Sequence, residues 1–479
     1  MVREGLARKP ETITVYNGTE DNGSDYGKIH VVRESKGEDF FKLAKGESTV
    51  IDLGQNMVGW PTFTVKGEKG TTVQIRVGEM LNDSGLESRG NDNPEGSIYT
   101  INYRSAKAKA YYVLKGADEG EYYCPTFTFF GFRYLEITAT EDVEFTGLIC
   151  PVIGSATRET GKMETSHPVV NQLISNIIWG QRGNYLSVPT DCPQRDERLG
   201  WTGDTQAFCG TAAYNAMVDG FFHKWLQDAR DSQNEAGVYP DVIPTVRVVG
   251  FGGAAWSDTG IIVPYTMWKM YADTDIIEEH YASMEKYMGW LEGANMNAPN
   301  PHYGDWLAYE GTDARLICVA YYALDCIYME AMSRAIGKDD RAAHYKATYA
   351  KVREHFRSLY CDENGEFFKD NGERAIFFAR GVLETVKKLR WAPDIIHCQG
   401  WISQVLPLYL KKVYVDDPIF SNSKVVLSLY GDTPGQFGEN LKDKVRYAGI
   451  DDKELDMLNE PTGINLAKLA ATYADGIIL

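Results

Sequence analysis

Thr190–Asp204 reads TDCPQRDERLGWTGD. Pro193, Gly200 and Gly203 make a long helix across it improbable, so a structured loop is expected. It lies between a helix ending near Ser187 and another beginning near Thr205. Around and beyond this loop, apolar residues recur with a helical period. The expected helices are Val169–Tyr185, Thr205–Asp228, Asp275–Leu291, Leu316–Ile336, Asp339–Leu359, Phe377–Leu389, Ile396–Val413 and Ile464–Tyr473. Helices paired through long loops point to an (α/α)6 toroid, with a cavity where the loops meet. The helices fall short of six closed pairs, so the end of the ring is expected to be absent or degenerate.

Toward the N-terminus the period changes. From about residue 10 to 150, short strands are broken by Gly, Asn and Asp. In Pro61–Val77, Phe63 and Val65 alternate with polar residues, Gly67–Gly70 turns the chain, and Val73, Ile75 and Val77 alternate again. This predicts a hairpin with one buried face. Tyr111–Leu114 and Phe132–Ile137 repeat the style, and Asn82–Gly96 reads as an exposed acidic loop. The fold expected is a multidomain α and β chain: an antiparallel β-sandwich over 1–155, then the toroid over 156–479.

Composition narrows the function. The 479 residues are 43% hydrophobic and 24% charged, as in ordinary globular proteins. No run of about 18 apolar residues is apparent, so no membrane span is expected. Met1–Pro10 holds no signal-peptide core, which makes the cytoplasm the expected location unless a secreted protein's start is missing. A net charge of −18 argues against nucleic acid, whose binders need a basic face. A neutral substrate fits better. Eight cysteines and eight histidines are scattered without metal-ligand spacing, so neither a metal site nor a disulfide framework is expected. Gly250–Ala255 (GFGGAA) faintly resembles a dinucleotide loop but lacks the βαβ setting, and no cofactor is expected.

The chemistry concentrates in Thr190–Asp204, which packs Asp191, Asp196, Glu197 and Asp204 beside Arg195, Arg198 and Trp201. Crowded carboxylates raise one another's proton affinity, as a general acid requires, while the arginines hold the others ionised. Ionised Asp side chains accept well from paired sugar hydroxyls. A plain alternative is a capping loop with surface ion pairs, in which Asp204 only caps a helix.

Asp191–Asp204 is similar, residue for residue, to the diagnostic motif of bacterial α-L-rhamnosidases. Asp52–Trp60 (DLGQNMVGW) and Phe130–Tyr134 (FGFRY) resemble that family's β-domain, and Trp256-Ser-Asp258, Pro264 and Gly304–Leu307 (GDWL) its barrel loops. The resemblance covers roughly residues 45 to 400. It implies an inverting hydrolase that removes terminal α-L-rhamnose from a rhamnoside, with Glu197 as general acid. Asp191, Arg195 and Asp204 would hold the sugar hydroxyls; Trp201, Trp256 and Trp306 would wall the pocket; Asp258 and Asp305 would be nearby polar contacts. An inverting enzyme also needs a base about 6.5–9.5 Å from the acid.

The family's base motif is not recognisable here. Glu439 and Glu460 are positional substitutes, and the resemblance ends near residue 415. The β-domain that usually follows the barrel is also absent from the sequence. A relocated base, a fragment of a longer gene and a rhamnose-binding pseudoenzyme all fit this pattern. Another carbohydrate-active toroid, such as a uronide lyase or hydrolase, is disfavoured because the central loop is acidic. Oligomeric state is not readable.

Overall fold

The computed structural model describes residues 1–478 apart from 4, 84–90, 247–248, 295–302, 309–310, 362–370, 431–436 and 438–439. It divides into two compact units: residues 1–164 with 171–345, and residues 165–170 with 346–479. The division at 345 falls inside the stretch 156–479 expected to be one barrel.

The first unit begins with strands β1 (Thr12–Glu20), β2 (Lys28–Lys36), β3 (Phe41–Leu43), β4 (Ser48–Gly59), β5 (Thr62–Gly67) and β6 (Thr72–Gly78). Then come two short strands, β7 (Met80–Leu81) and β8 (Ile98–Tyr99), followed by β9 (Lys109–Val113), β10 (Glu121–Tyr123), β11 (Phe130–Ala139) and β12 (Val143–Ile149). A six-stranded sheet runs β2-β1-β4-β11-β6-β9 and a four-stranded sheet β10-β5-β12-β3, with antiparallel pairing throughout. They share one core, with Ile51, Val73 and Ile137 of the larger sheet and Phe63 and Phe145 of the smaller all buried in it. Within the smaller sheet Phe41 stacks on Phe145 at 4.6 Å, and Phe63 meets Phe145 edge-on at 5.2 Å.

The expected hairpin at Pro61–Val77 is a corner instead. Both strands form with the anticipated residues buried, but β5 joins one sheet and β6 the other. Period-2 alternation reports one buried face, and a hairpin shares that signature with a crossing between two packed sheets. The loop Asn82–Gly96 is not wholly exposed: Asn82 is buried, donating to the carbonyls of Ser97 and Ile98, while 84–90 lie outside the described residues. Two motif fragments meet where β4 pairs with β11. There Arg133 forks onto Asp52, with both nitrogen–oxygen distances 2.8 Å.

Helices follow: α1 (Pro168–Asn184), α2 (Thr202–Asn215), α3 (Asp219–Ser232), α4 (Thr259–Tyr271), α5 (Asp275–Gly293), α6 (Ala314–Ala335) and α7 (Asp339–Tyr360). The single helix expected over Thr205–Asp228 is two, parted at 216–218. The periodicity missed α4, because a helix buried on nearly every side shows no stripe. Thr259–Pro264 are all buried, and α2, α3, α5 and α6 pack against α4. Helix α6 is long and apolar enough to cross a membrane by length and composition, contrary to the reading of the bare sequence. Its buried residues, among them Val319, Cys326 and Met329, belong to this helical core.

The second unit is of another class. After α8 (Asn371–Lys388), the expected helix Ile396–Val413 is instead a strand, β15 (Ile395–Gln399), and a short helix, α9 (Leu406–Lys412). Strands β16 (Lys424–Ser428) and β17 (Gly476–Ile478) complete a three-stranded parallel sheet in the order β15-β16-β17. Helix α10 (Gly463–Tyr473) leads into β17 and packs on α9. Parallel strands require crossovers of this kind. Val425, Leu427, Leu408, Tyr409, Leu466 and Leu469 form a separate core.

Candidate active site

The Asp191–Asp204 loop starts just past a small ribbon, β13 (Tyr185–Leu186) with β14 (Val188–Pro189), and ends in the first turn of α2. Two of its glycines are required by close approach. A Cβ on Gly200 would lie 2.1 Å from the Ile243 carbonyl oxygen, and one on Gly203 would lie 2.7 Å from the Trp256 ring.

Glu197 is the convergence point. Its Oε2 accepts from Arg104 Nη1 at 2.8 Å and forms an ion pair with Arg195 Nη2 2.7 Å away, and its Oε1 accepts from Trp201 Nε1 at 2.8 Å. Arg195 also donates through Nη2 to Asp191 Oδ2 at 3.0 Å and through Nε to Cys192 Sγ at 3.1 Å. Asp191 Oδ1 accepts the Leu199 amide at 3.1 Å. Asp191, Cys192 and Glu197 bring oxygen and sulfur within 4.8 Å of one another, and the cation lying on all three is the Arg195 guanidinium.

Asp204 and Asp191 line a cavity of about 390 Å³ together with Asn184 of α1, Tyr185 of β13 and Phe208 of α2. Asp204 reaches solvent through this cavity yet is ringed by protein. Desolvation, then the charges of Asp191 and Glu197, push its carboxyl above the usual carboxylate range.

The three predicted tryptophans gather around a residue the sequence reading did not single out. Tyr303 lies 4.4 Å from Trp256, 5.9 Å from Trp201 and 6.1 Å from Trp306, centroid to centroid. Its hydroxyl donates to Asp241 Oδ2 at 3.1 Å, and Asp241 Oδ1 takes the Gly253 amide at 2.9 Å. The glycine-rich loop 250–255 thus has a packing role around Asp241. Trp306 and Asp305 are exposed, and Asp305 accepts from Thr312 at 2.7 Å.

Asp258 departs from expectation. It is only 2% exposed and spends its oxygens on the Ala255 amide (2.6 Å) and the Tyr287 hydroxyl (2.9 Å). Buried Asp325 of α6 faces it; burial and the like charge of Asp258 push the Asp325 carboxyl well above the usual carboxylate range. Asp258 therefore anchors the Trp256 loop from inside and is not positioned as a sugar contact.

Arg104 was also missed. It follows a short 3-10 turn, Ile101–Tyr103, on the β-sheet side, and the adjoining Ser105 donates its amide and hydroxyl to Asp196. Nothing in the sequence near Arg104 announces a partner 93 residues away. Of the two substitute bases, Glu439 lies outside the described residues. Glu460 ends a 3-10 helix of the second unit, where its carbonyl takes the Thr462 amide and Asn465 Nδ2.

The chain resembles known proteins over both parts of the first unit. Residues 158–414 match the bacterial alpha-L-rhamnosidase 6 hairpin glycosidase domain, and 42–152 the bacterial alpha-L-rhamnosidase concanavalin-like domain. An α-L-rhamnosidase of Streptomyces avermitilis is 41% identical over 321 residues, 66% of this chain and 30% of that protein. The crystal structure of the Streptomyces avermitilis α-L-rhamnosidase complexed with L-rhamnose superposes with a TM-score of 0.62 at 33% identity, covering 80% of this chain and 40% of that one. A separate likeness is to a glycogen synthase of Chlorobium limicola, 49% identical over 73 residues, 15% of each chain. The chain spans 30% to 36% of the length of three curated α-L-rhamnosidases that it matches. With both family domains matched, and the helical one over more than half of this chain, the chain belongs to the bacterial α-L-rhamnosidase family.

Proposed function

We propose that the first unit carries the sugar-recognising, acid-bearing part of a glycoside hydrolase that removes terminal non-reducing α-L-rhamnose with inversion. The observation that carries this reading is the gathering of Arg195, Arg104 and Trp201 on the Glu197 carboxyl, with Asp191 on the other arm of Arg195. Protonated Glu197 gives its proton to the glycosidic oxygen as the bond from that oxygen to C1 breaks. A base on the opposite face takes a proton from the water that attacks C1. Asp191, Asp204 and Arg195 supply acceptors and donors for ring hydroxyls, and Trp201, Trp256 and Tyr303 an aromatic wall for the apolar C6 methyl.

A second reading, a rhamnose-binding chain without turnover, is favoured by one observation. Where the last helices of the ring and their base were expected, residues 395–478 hold a parallel sheet. That winding suits a nucleotide- or sugar-handling α/β domain. Release of nitrophenol from p-nitrophenyl α-L-rhamnopyranoside, run beside Glu197→Gln, separates the readings when L-rhamnose binding is followed by calorimetry. Turnover lost in the variant supports hydrolysis; binding without turnover supports the second reading; neither removes both.

A further inference from the structure

Asp325 of α6 is fully buried, and neither of its carboxyl oxygens meets a hydrogen-bond donor among the described residues. The group within hydrogen-bonding reach is the Asp258 carboxyl. Asp258 is supplied with donors, the Ala255 amide at 2.6 Å and the Tyr287 hydroxyl at 2.9 Å. The ionisable groups acting with the pair include Tyr239, Tyr287, Tyr321, Cys318, Cys326 and Asp241, all neutral or acidic. Arg230 of α3 reaches Tyr239, but its guanidinium is bonded to the Glu279 carbonyl and to Gln227. Two ionised carboxylates side by side in a dry core would repel with nothing to offset them. A neutral acid beside one carboxylate instead makes a charge-assisted O–H···O bond.

We propose that Asp325 is a positioning residue: a neutral acid whose hydroxyl donates to the Asp258 carboxylate and so fixes the loop that sets Trp256 in the wall of the sugar pocket. The proton stays on Asp325 because Asp258 alone has donors to hold its charge. The loop needs holding. Ala255 has a φ of 72°, in the left-handed region that a residue with a Cβ adopts only under constraint, and Asp258 accepts its amide. The next residue, Trp256, packs so closely on Gly203 of the acid-bearing loop that a Cβ there would lie 2.7 Å from the ring, and it lies 4.4 Å from Tyr303. Contact thus runs from α6 through Asp258 and Ala255 to the aromatic wall. The role at the sugar rests on the rhamnoside reading of the first unit; the acid pair does not.

The test compares the full wild-type chain with Asp325→Asn and Asp325→Leu. The infrared difference spectrum at neutral pH, wild type minus Asp325→Asn, should carry the carbonyl band of one neutral carboxyl, and its absence overturns the proposal. Asp325→Asn keeps a donor toward Asp258, so L-rhamnose affinity by calorimetry should stay within about twofold of wild type. Asp325→Leu offers no donor. Its affinity should fall at least about tenfold, with a change in the near-ultraviolet circular dichroism of the tryptophans. A loss in Asp325→Asn equal to that in Asp325→Leu would put a bound cation in place of the proton and overturn the proposal, as would full affinity in Asp325→Leu. If Asp325→Leu does not fold, the infrared band and the Asp325→Asn affinity decide. A wild-type chain without L-rhamnose affinity overturns the rhamnoside reading; the band and the dichroism still pass or fail the acid pair and its hold on the loop.

Discussion

Arg195→Met tests the construction of the site most sharply. Arg195 Nη2 bridges Asp191 at 3.0 Å and Glu197 at 2.7 Å, and the Asp191 side chain is only 8% exposed. Removing one partner of a buried ion pair costs about 3–5 kcal/mol, because the remaining charge is left uncompensated. Here the arginine is 28% exposed and Asp191 keeps the Leu199 amide, which discounts the loss to about 2 kcal/mol. Arg195→Lys keeps the charge without the fork that spans Asp191, Cys192 and Glu197, and should lose about half as much. The assay is denaturant unfolding of the first unit, with L-rhamnose affinity followed in parallel and expected to fall at least about tenfold in Arg195→Met. In the double variant Asp191→Asn/Arg195→Met the two losses should fall short of additivity by at least about 1 kcal/mol. Strict additivity, or an Arg195→Met chain within about 0.5 kcal/mol of wild type, would refute the bridge.

Asp204 holds its proton more tightly folded than unfolded, so its share of stability is complete at acid pH and is lost as pH rises through the raised value. Asp204→Asn, which cannot ionise, should therefore melt above wild type at pH 7, with the gain vanishing toward pH 4; a gain independent of pH contradicts this. His280 is 2% exposed, its Nε2 has no hydrogen-bond partner, and burial lowers its pKa to about 3. A lowered folded value gives stability that is present above the unfolded pKa near 6.5 and is lost as pH falls, about 2 kcal/mol by pH 5. His280→Gln should flatten that acid slope, and an unchanged slope in melting curves would assign it elsewhere. Leu408→Ala empties a fully buried position of the second unit and should lower that unit's stability by about 2–5 kcal/mol. L-rhamnose affinity should not change, and a fall would tie the second unit to the sugar site.

The sequence disclosed what is local in the chain. The Asp191–Asp204 loop was legible because its residue types are crowded within one turn-rich segment, and Glu197, Arg195 and Asp191 do meet there. Tyr303 and Arg104 were not legible. Each reaches the site across about a hundred residues of intervening chain, and neither stands in a run of unusual composition. Asp258 was found by motif but misjudged in role, because burial is not written in a Trp-Ser-Asp triplet. In the fold, alternation located β5 and β6 but not the sheet each joins. Ile396–Val413 was taken for a helix because an apolar strand followed by a short apolar helix carries no period of its own.

The measurement closest to the central claim is nitrophenol release from p-nitrophenyl α-L-rhamnopyranoside by the full chain and by Glu197→Gln, with L-rhamnose affinity measured on both. If Glu197 is the acid of a rhamnoside site, the variant keeps L-rhamnose affinity, and any turnover of the wild-type chain falls by at least about a hundredfold. Undiminished turnover in Glu197→Gln, or a folded wild-type chain that does not bind L-rhamnose, would contradict it.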